Sequence, residues 1–281
     1  MKIPFVKMHG CGNDYVYVDC FKTEISDPSA LAVAISDRHK GVGGDGLVLI
    51  CPSKVADAKM RMFNMDGSEG KMCGNAIRCV AKYLADNGYS GKDVLTVETL
   101  SGIKTLSLFK KDGVVESVTV NMGKANVDPK SLPITALKPY INEKRTFGGK
   151  EYAITCVSMG NPHCVTLVED PFAIDLKNIG PVFENDGFFP ERVNTEFIRI
   201  NKGGEIEMRV WERGSGETLA CGTGACAATF ACVLNGLKKR NENVKVKLLG
   251  GDLVISVKDD DTVFMTGEAK KVFIGEYEYE N

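Results

Sequence analysis

β-Branched and aromatic runs at residues 3–8 and 15–18 predict two strands joined by the turn His9-Gly10-Cys11-Gly12-Asn13-Asp14. After Asp27-Pro28, an N-cap followed by a first-position proline, apolar residues 31–35 predict a helix running to about Arg38. Strands follow at 47–50 and 59–64, and a turn at 65–70. Met72-Cys73-Gly74-Asn75 then opens a helix with Ile77, Val80, Ala81 and Leu84 on one face, closed by Gly88. Further strands are predicted at 94–99, 104–108 and 114–122, whereas 123–150, with three prolines and little periodicity, reads as a connection. A strand at 208–211, a glycine-rich turn and a second apolar helix from Cys221 to Asn235-Gly236 come next, followed by strands at 244–249 and 253–257. Either 262–266 or 272–277 is expected to return to the first half.

The second half repeats the first. Cys221 lies 148 positions after Cys73, and that offset carries Gly74 onto Gly222, Glu69 onto Glu217, and Met60-Arg61-Met62-Phe63 onto Met208-Arg209-Val210-Trp211 without a gap. It also sets Asn64 on Glu212, Gly46 on Asn194, and Gly12-Asn13 on Gly160-Asn161. One spacing linking separate loops predicts a duplicated α/β (α+β) unit: two pseudo-symmetric domains, 1–122 joined by 267–281, and 123–266. Two Cys-Gly helix starts would then face the cleft between them.

Composition narrows the partner. Lys and Arg number 35 against 37 Asp and Glu, a net charge of −2, which supplies no field for nucleic acid or an anionic membrane. No apolar run spans a bilayer and the first residues lack a secretory core, so a cytoplasmic protein acting on a small molecule is expected, with the oligomeric state, a homodimer included, left open. Ten cysteines in such a chain are expected to be reduced thiols, and the Cys73 to Cys79 and Cys221 to Cys226 spacings are not those of a zinc ribbon, so no metal is expected. Gly41-Val42-Gly43-Gly44-Asp45-Gly46 fits a dinucleotide fingerprint in letters only, because a helix precedes it and a strand follows.

A cysteine at a helix N-terminus is expected to have a lowered thiol pKa, and the amides beside it can hold a carboxylate. Two such thiols suit removal of a proton from one face of a carbon and its return on the other, each sulfur alternating between base and acid. Amides of Gly74, Asn75, Gly222 and Thr223 would hold the adjoining carboxylate and the charge that develops on it. No phosphate-cradling loop or pyridoxal lysine is evident, so no cofactor is expected. Residue by residue, plainer readings stand: buried structural cysteines, His163 as a satisfied loop histidine, Arg213 as a surface charge, Asn161 as a turn residue.

Taken in order, Gly12-Asn13-Asp14, Asn64-Met65-Asp66-Gly67-Ser68, Cys73-Gly74-Asn75, Gly160-Asn161-Pro162-His163, Arg192-Val193-Asn194, Glu212-Arg213-Gly214 and Ala220-Cys221-Gly222-Thr223-Gly224 resemble the diaminopimelate epimerase family over nearly the whole chain. The resemblance implies two domains, each a curved mixed β-sheet around a central helix, and cofactor-independent interconversion of LL- and meso-diaminopimelate. It implies Cys73 and Cys221 as base and acid, with His163 and Glu212 assisting. Asn13, Asn64, Asn161, Asn194 and Arg213 would hold the distal amino acid group, Glu212 accepting from its ammonium. Gly46, where family members often carry Gln, joins the substrate set with one side-chain contact absent, and Ala76 replaces a frequent Gly. The nearest rival is a proline or hydroxyproline racemase, which also uses two cysteines but should not need Arg213 and the asparagines. The phenazine-synthesis isomerases lack the cysteine pair. A thiol redox or metal-binding protein is the rival outside enzymes.

Overall fold

The computed structural model describes residues 1–279 and narrows the first turn to Cys11 and Gly12, both at positive φ, between β1 (Lys2–Gly10) and β2 (Asn13–Asp19), which pair antiparallel. Asp27 caps α1 (Pro28–Ser36) by accepting from the Ala30 amide, and the helix stops two residues before Arg38. β2 pairs parallel with β3 (Gly46–Cys51), β3 antiparallel with β4 (Ala58–Asn64), and β4 turns back into a two-residue strand, β5 (Glu69–Gly70), inside the segment expected to be only a turn. Then comes α2 (Gly74–Asp86), followed by β6 (Val94–Thr99), β7 (Gly102–Lys111) and β8 (Val114–Lys124).

α2 is the axis of its unit. It packs against β1, β2, β6 and β7, and most of its side chains are buried. Two of the buried residues are cations. Arg78, fully buried, donates to the carbonyls of Gly74 and Glu268 and to Asn75 Oδ1, while Lys82 donates to the Val115 carbonyl and pairs with Asp86 at 2.7 Å. Those partners are what make burial of the charges tolerable.

The chain divides into two compact units, Met1–Val120 with the segment from Thr266 onward, and Asn121–Met265. In the second, β9 (Glu143–Phe147) pairs with β10 (Lys150–Ser158). β9 corrects the expectation of an unstructured connection. Its polar letters hide a strand that inserts Phe147 into a cluster with Phe183, Phe189 and Phe197, stacked on Phe183 at 3.8 Å between ring centroids. β11 (Pro162–Leu167), α3 (Leu176–Glu184), β12 (Asn194–Ile200), β13 (Ile206–Glu212), β14 (Gly216–Glu217), α4 (Gly222–Leu234), β15 (Val244–Leu248), β16 (Gly251–Val257) and β17 (Thr262–Glu268) complete the order. A last strand, Lys270–Glu278, pairs antiparallel with β1. α4 is apolar around almost its whole circumference, as a helix enclosed by strands must be, and it packs against β10 to β13, β15 and β16.

The offset of 148 is a structural register as well as a sequence one. Tyr15 faces Gly46 between β2 and β3, as His163 faces Asn194 between β11 and β12; Phe63 faces Glu69, as Trp211 faces Glu217. α1 and α3 match residue for residue, as do α2 and α4. The register slips by one only beyond α2 and α4, where Ala58 faces Val97 but Ile206 faces Val246.

The matched caps of α1 and α3 differ in strength: Asp27 bonds a first-turn amide, whereas the Asp175 side chain makes no capping bond. Asp27→Ala should lower stability by about 1 kcal/mol and Asp175→Ala by less than about 0.5 kcal/mol. Urea unfolding of the two variants, followed by circular dichroism, checks the difference.

Candidate functional site

In each unit the candidate residues gather at the N-terminus of the central helix. Cys73 caps α2 from an extended backbone, its sulfur accepting from the Ala76 amide at 3.5 Å and its thiol donating to Asn13 Oδ1 at 3.3 Å. Asn13 in turn donates through Nδ2 to Asp45 Oδ2 at 2.7 Å. A carboxylate only accepts, so Asp45 fixes which end of the Asn13 amide meets the sulfur. Arg38 holds Asp45 and Asp14 from the other side. Burial, then the neighbouring Cys73 and Asp45, push the Tyr15 phenol well above its usual range.

The remaining residues of this unit are less concentrated. Gly74 and Asn75 open α2, both buried, and the Asn75 carbonyl oxygen is bonded to Arg78 rather than pointing outward alone. Gly46 is buried where a Cβ would stand 2.0 Å from the Phe63 carbonyl oxygen, so only its backbone is available to a ligand. Asn64 lies opposite Gly46 at the end of β4, donating to Ser68 Oγ at 2.9 Å.

The second unit builds a denser network. Cys221 caps α4, accepting from the Gly224 amide at 3.3 Å and lying 3.5 Å from Thr223 Oγ1. Asn161 donates to Thr223 Oγ1 at 3.3 Å and its Oδ1 sits 3.0 Å from His163 Nε2; His163 Nδ1 is 2.7 Å from Glu196 Oε1. Glu212 receives the Thr218 hydroxyl, and burial raises its pKa against the pull of Thr218, Cys221 and His163. Asn194 is occupied internally, donating to the Pro162 carbonyl and accepting the Arg213 amide at 2.9 Å, so it orders the Glu212-Arg213 turn. The Arg213 guanidinium rests on the Glu191 carbonyl. Gly222 is buried at the first position of α4, beside Thr223.

One expectation is reversed here. The Cys221 thiol is pushed well above its usual range, first by burial, then by Glu212 and Glu196, which outweigh the opposing bonds from Thr223 and the Gly224 amide. A helix N-terminus offers a fraction of a charge, and burial of the sulfur together with two nearby carboxylates exceeds it.

Sequence reading missed Glu196, Asp45 and Thr218 as partners of the site. Glu196 had a signal: an acid inside the apolar strand Thr195-Glu196-Phe197-Ile198, at the place where the offset puts Val48. Among the described residues no group of three or more His, Cys, Asp or Glu is arranged to hold a metal ion.

Solved structures place the fold. A hydroxyproline epimerase from Agrobacterium vitis superposes with a TM-score of 0.71 over 98% of this chain and 92% of that one, at 15% identity. A phenazine biosynthesis protein from Bacillus anthracis gives 0.70 over 98% and 99%, at 17% identity. The class is therefore that of the duplicated epimerase-type fold. The diaminopimelate epimerase family model matches residues 5–127 and 155–272. Diaminopimelate epimerase of Acetivibrio thermocellus is 53% identical over 274 residues, 97% of each chain, and that of Methanococcus maripaludis strain C5 is 50% identical over 97% of this chain and 98% of the other. The chain belongs to the diaminopimelate epimerase family.

Because Glu212 is among the groups holding the Cys221 thiol up, Glu212→Gln should ease its ionisation. Alkylation of Cys221 by iodoacetamide at neutral pH, followed by peptide mass spectrometry, should become roughly three- to tenfold faster; an unchanged rate would refute the assignment.

Proposed function

We propose that this protein interconverts LL- and meso-diaminopimelate without a cofactor, with Cys73 and Cys221 as the two bases. The observation that carries the reading is the matched placement of two thiols as N-caps of equivalent buried helices, in a chain of this family. One sulfur, as thiolate, takes the proton from the α-carbon, and the other, as thiol, returns a proton to the opposite face. Reaction in the other direction exchanges the roles, and no electrons leave the system. Without an electron sink the developing carbanion must be stabilised by delocalisation into the adjoining carboxylate, which amides at the starts of α2 and α4 would hold.

His163 and Glu212 assist proton exchange on the Cys221 side, where a thiol held up by burial needs a nearby acceptor to ionise. Arg213 recognises the distal carboxylate, Asn194 positions it through its backbone, and Asn13, Asn64 and Asn161 supply further polar contacts. The net charge of −2 and this donor set favour a small zwitterion over a nucleic acid. No described helix is long and apolar enough to cross a membrane, and a biosynthetic role in the cytoplasm fits the reading.

Cys73→Ala and Cys221→Ala should each lower epimerisation by about a hundred- to ten-thousandfold while preserving the circular dichroism spectrum. Deuterium uptake from heavy water into diaminopimelate, with proline as control substrate, measures this directly. Turnover of either variant near the wild-type rate, or exchange into proline instead, would defeat the proposal.

A further inference from the structure

Glu196 and His163 form a fully buried pair, 2.7 Å apart, and the second carboxylate oxygen of Glu196 has no hydrogen-bond partner. A dry carboxylate facing an imidazole is costly to maintain, and the chain has rearranged three positions to admit it. A Cβ at Gly224 would stand 2.6 Å from Glu196 Oε1 and 3.2 Å from Cys221 Sγ. The equivalent positions of the first unit hold Tyr15 for His163, Val48 for Glu196 and Ala76 for Gly224. There, the strand position is a buried valine and the helix position carries a methyl group. The three differences are one exchange: a carboxylate enters, an imidazole meets it, and the helix loses the side chain that would block them.

We propose that Glu196 is a positioning residue for proton exchange at the Cys221 end of the site. Its carboxylate accepts the His163 Nδ1–H, which fixes the ring and reserves Nε2 as the edge that gains and loses a proton. Nε2 bonds Asn161, which bonds Thr223 beside the Cys221 sulfur, so this contact orients the ring, while the proton that Nε2 gains or loses is exchanged with solvent water. With Nε2 protonated, the ring donates to Asn161 Oδ1. With Nε2 bare, the Asn161 amide reverses to donate to it, taking the Thr223 hydroxyl on its oxygen. The charged and titratable groups facing this ring are Glu196 from β12, Glu212 from β13 and Cys221 from the cap of α4.

The inference rests on the proposed epimerisation only in its kinetic arm. In the ligand-free protein, nitrogen-15 NMR should show His163 protonated at Nδ1 with a far-downfield proton, assigned by its loss in His163→Gln. His9, whose Nδ1 accepts the Gly12 amide, should show the opposite pattern. In Glu196→Gln, whose amide can donate as well as accept, that signature should vanish. Its kcat should fall about ten- to a hundredfold with KM within about twofold, and the kcat–pH profile should shift. Glu196→Asp should recover part of both. A wild-type His163 bare at Nδ1, or Glu196→Gln with wild-type kcat and pH profile, overturns the proposal. Should Glu196→Gln fail to fold, the wild-type spectrum and Glu196→Asp decide. Should the wild type not turn over diaminopimelate, the functional reading fails while the spectra still judge the pair.

Discussion

The first-turn N–H groups of a helix have no partner within it, and in both units of this protein a cysteine sulfur takes one of them. The bond from the Ala76 amide to Cys73 and that from the Gly224 amide to Cys221 seat each thiol at its helix start, where Ser or Asp would cap better and react less readily. Sulfur is a weak acceptor as a thiol and a better one as a thiolate, so the same amide that closes the helix also favours ionisation. Structure and reactivity are coupled through one bond. The rest of each unit, from the inward faces of the strands to the buried cations of α2, keeps that helix start in place.

The two sulfurs nonetheless have different surroundings. Cys73 donates to an amide oxygen whose orientation is set by Asp45, whereas Cys221 is buried against Glu212, with Glu196 close enough to act on it. A neutral acceptor stabilises a thiol without opposing its ionisation by charge; two carboxylates oppose it directly. The surroundings therefore hold the Cys221 thiol up, while those of Cys73 offer its thiol a neutral acceptor.

Much of this was legible in the sequence, because duplication at a fixed spacing fixes strand register as well as order. Tyr15 with His163 and Asn64 with Glu212 could be aligned without knowing a single contact. What escaped had a physical cause in each case. β9 carries Arg145 on the same face as Phe147, its guanidinium lying over Phe147 and Phe188, so no apolar alternation reports the strand. Glu196 reads as an interruption of an apolar strand until the imidazole beside it is seen. The lowered thiol pKa expected at Cys221 failed because a helix dipole is visible in the local sequence, while the burial of the sulfur, and after it the carboxylates from β12 and β13, come from the tertiary fold.

Those carboxylates also explain why the duplication is incomplete. The proposed substrate and product differ at one carbon, and the proposed exchange of its proton between two faces asks for equivalent helix starts. The remainder of the molecule has no such symmetry. Where the first unit has Asn64, Tyr15, Val48 and Ala76, the second has Glu212, His163, Glu196 and Gly224, and these four differences meet around one sulfur. Gly224 belongs to this set, since a Cβ there would stand 2.6 Å from Glu196 Oε1. Ala76 is acceptable in the first unit for the complementary reason: Val48 brings no charge that must come close.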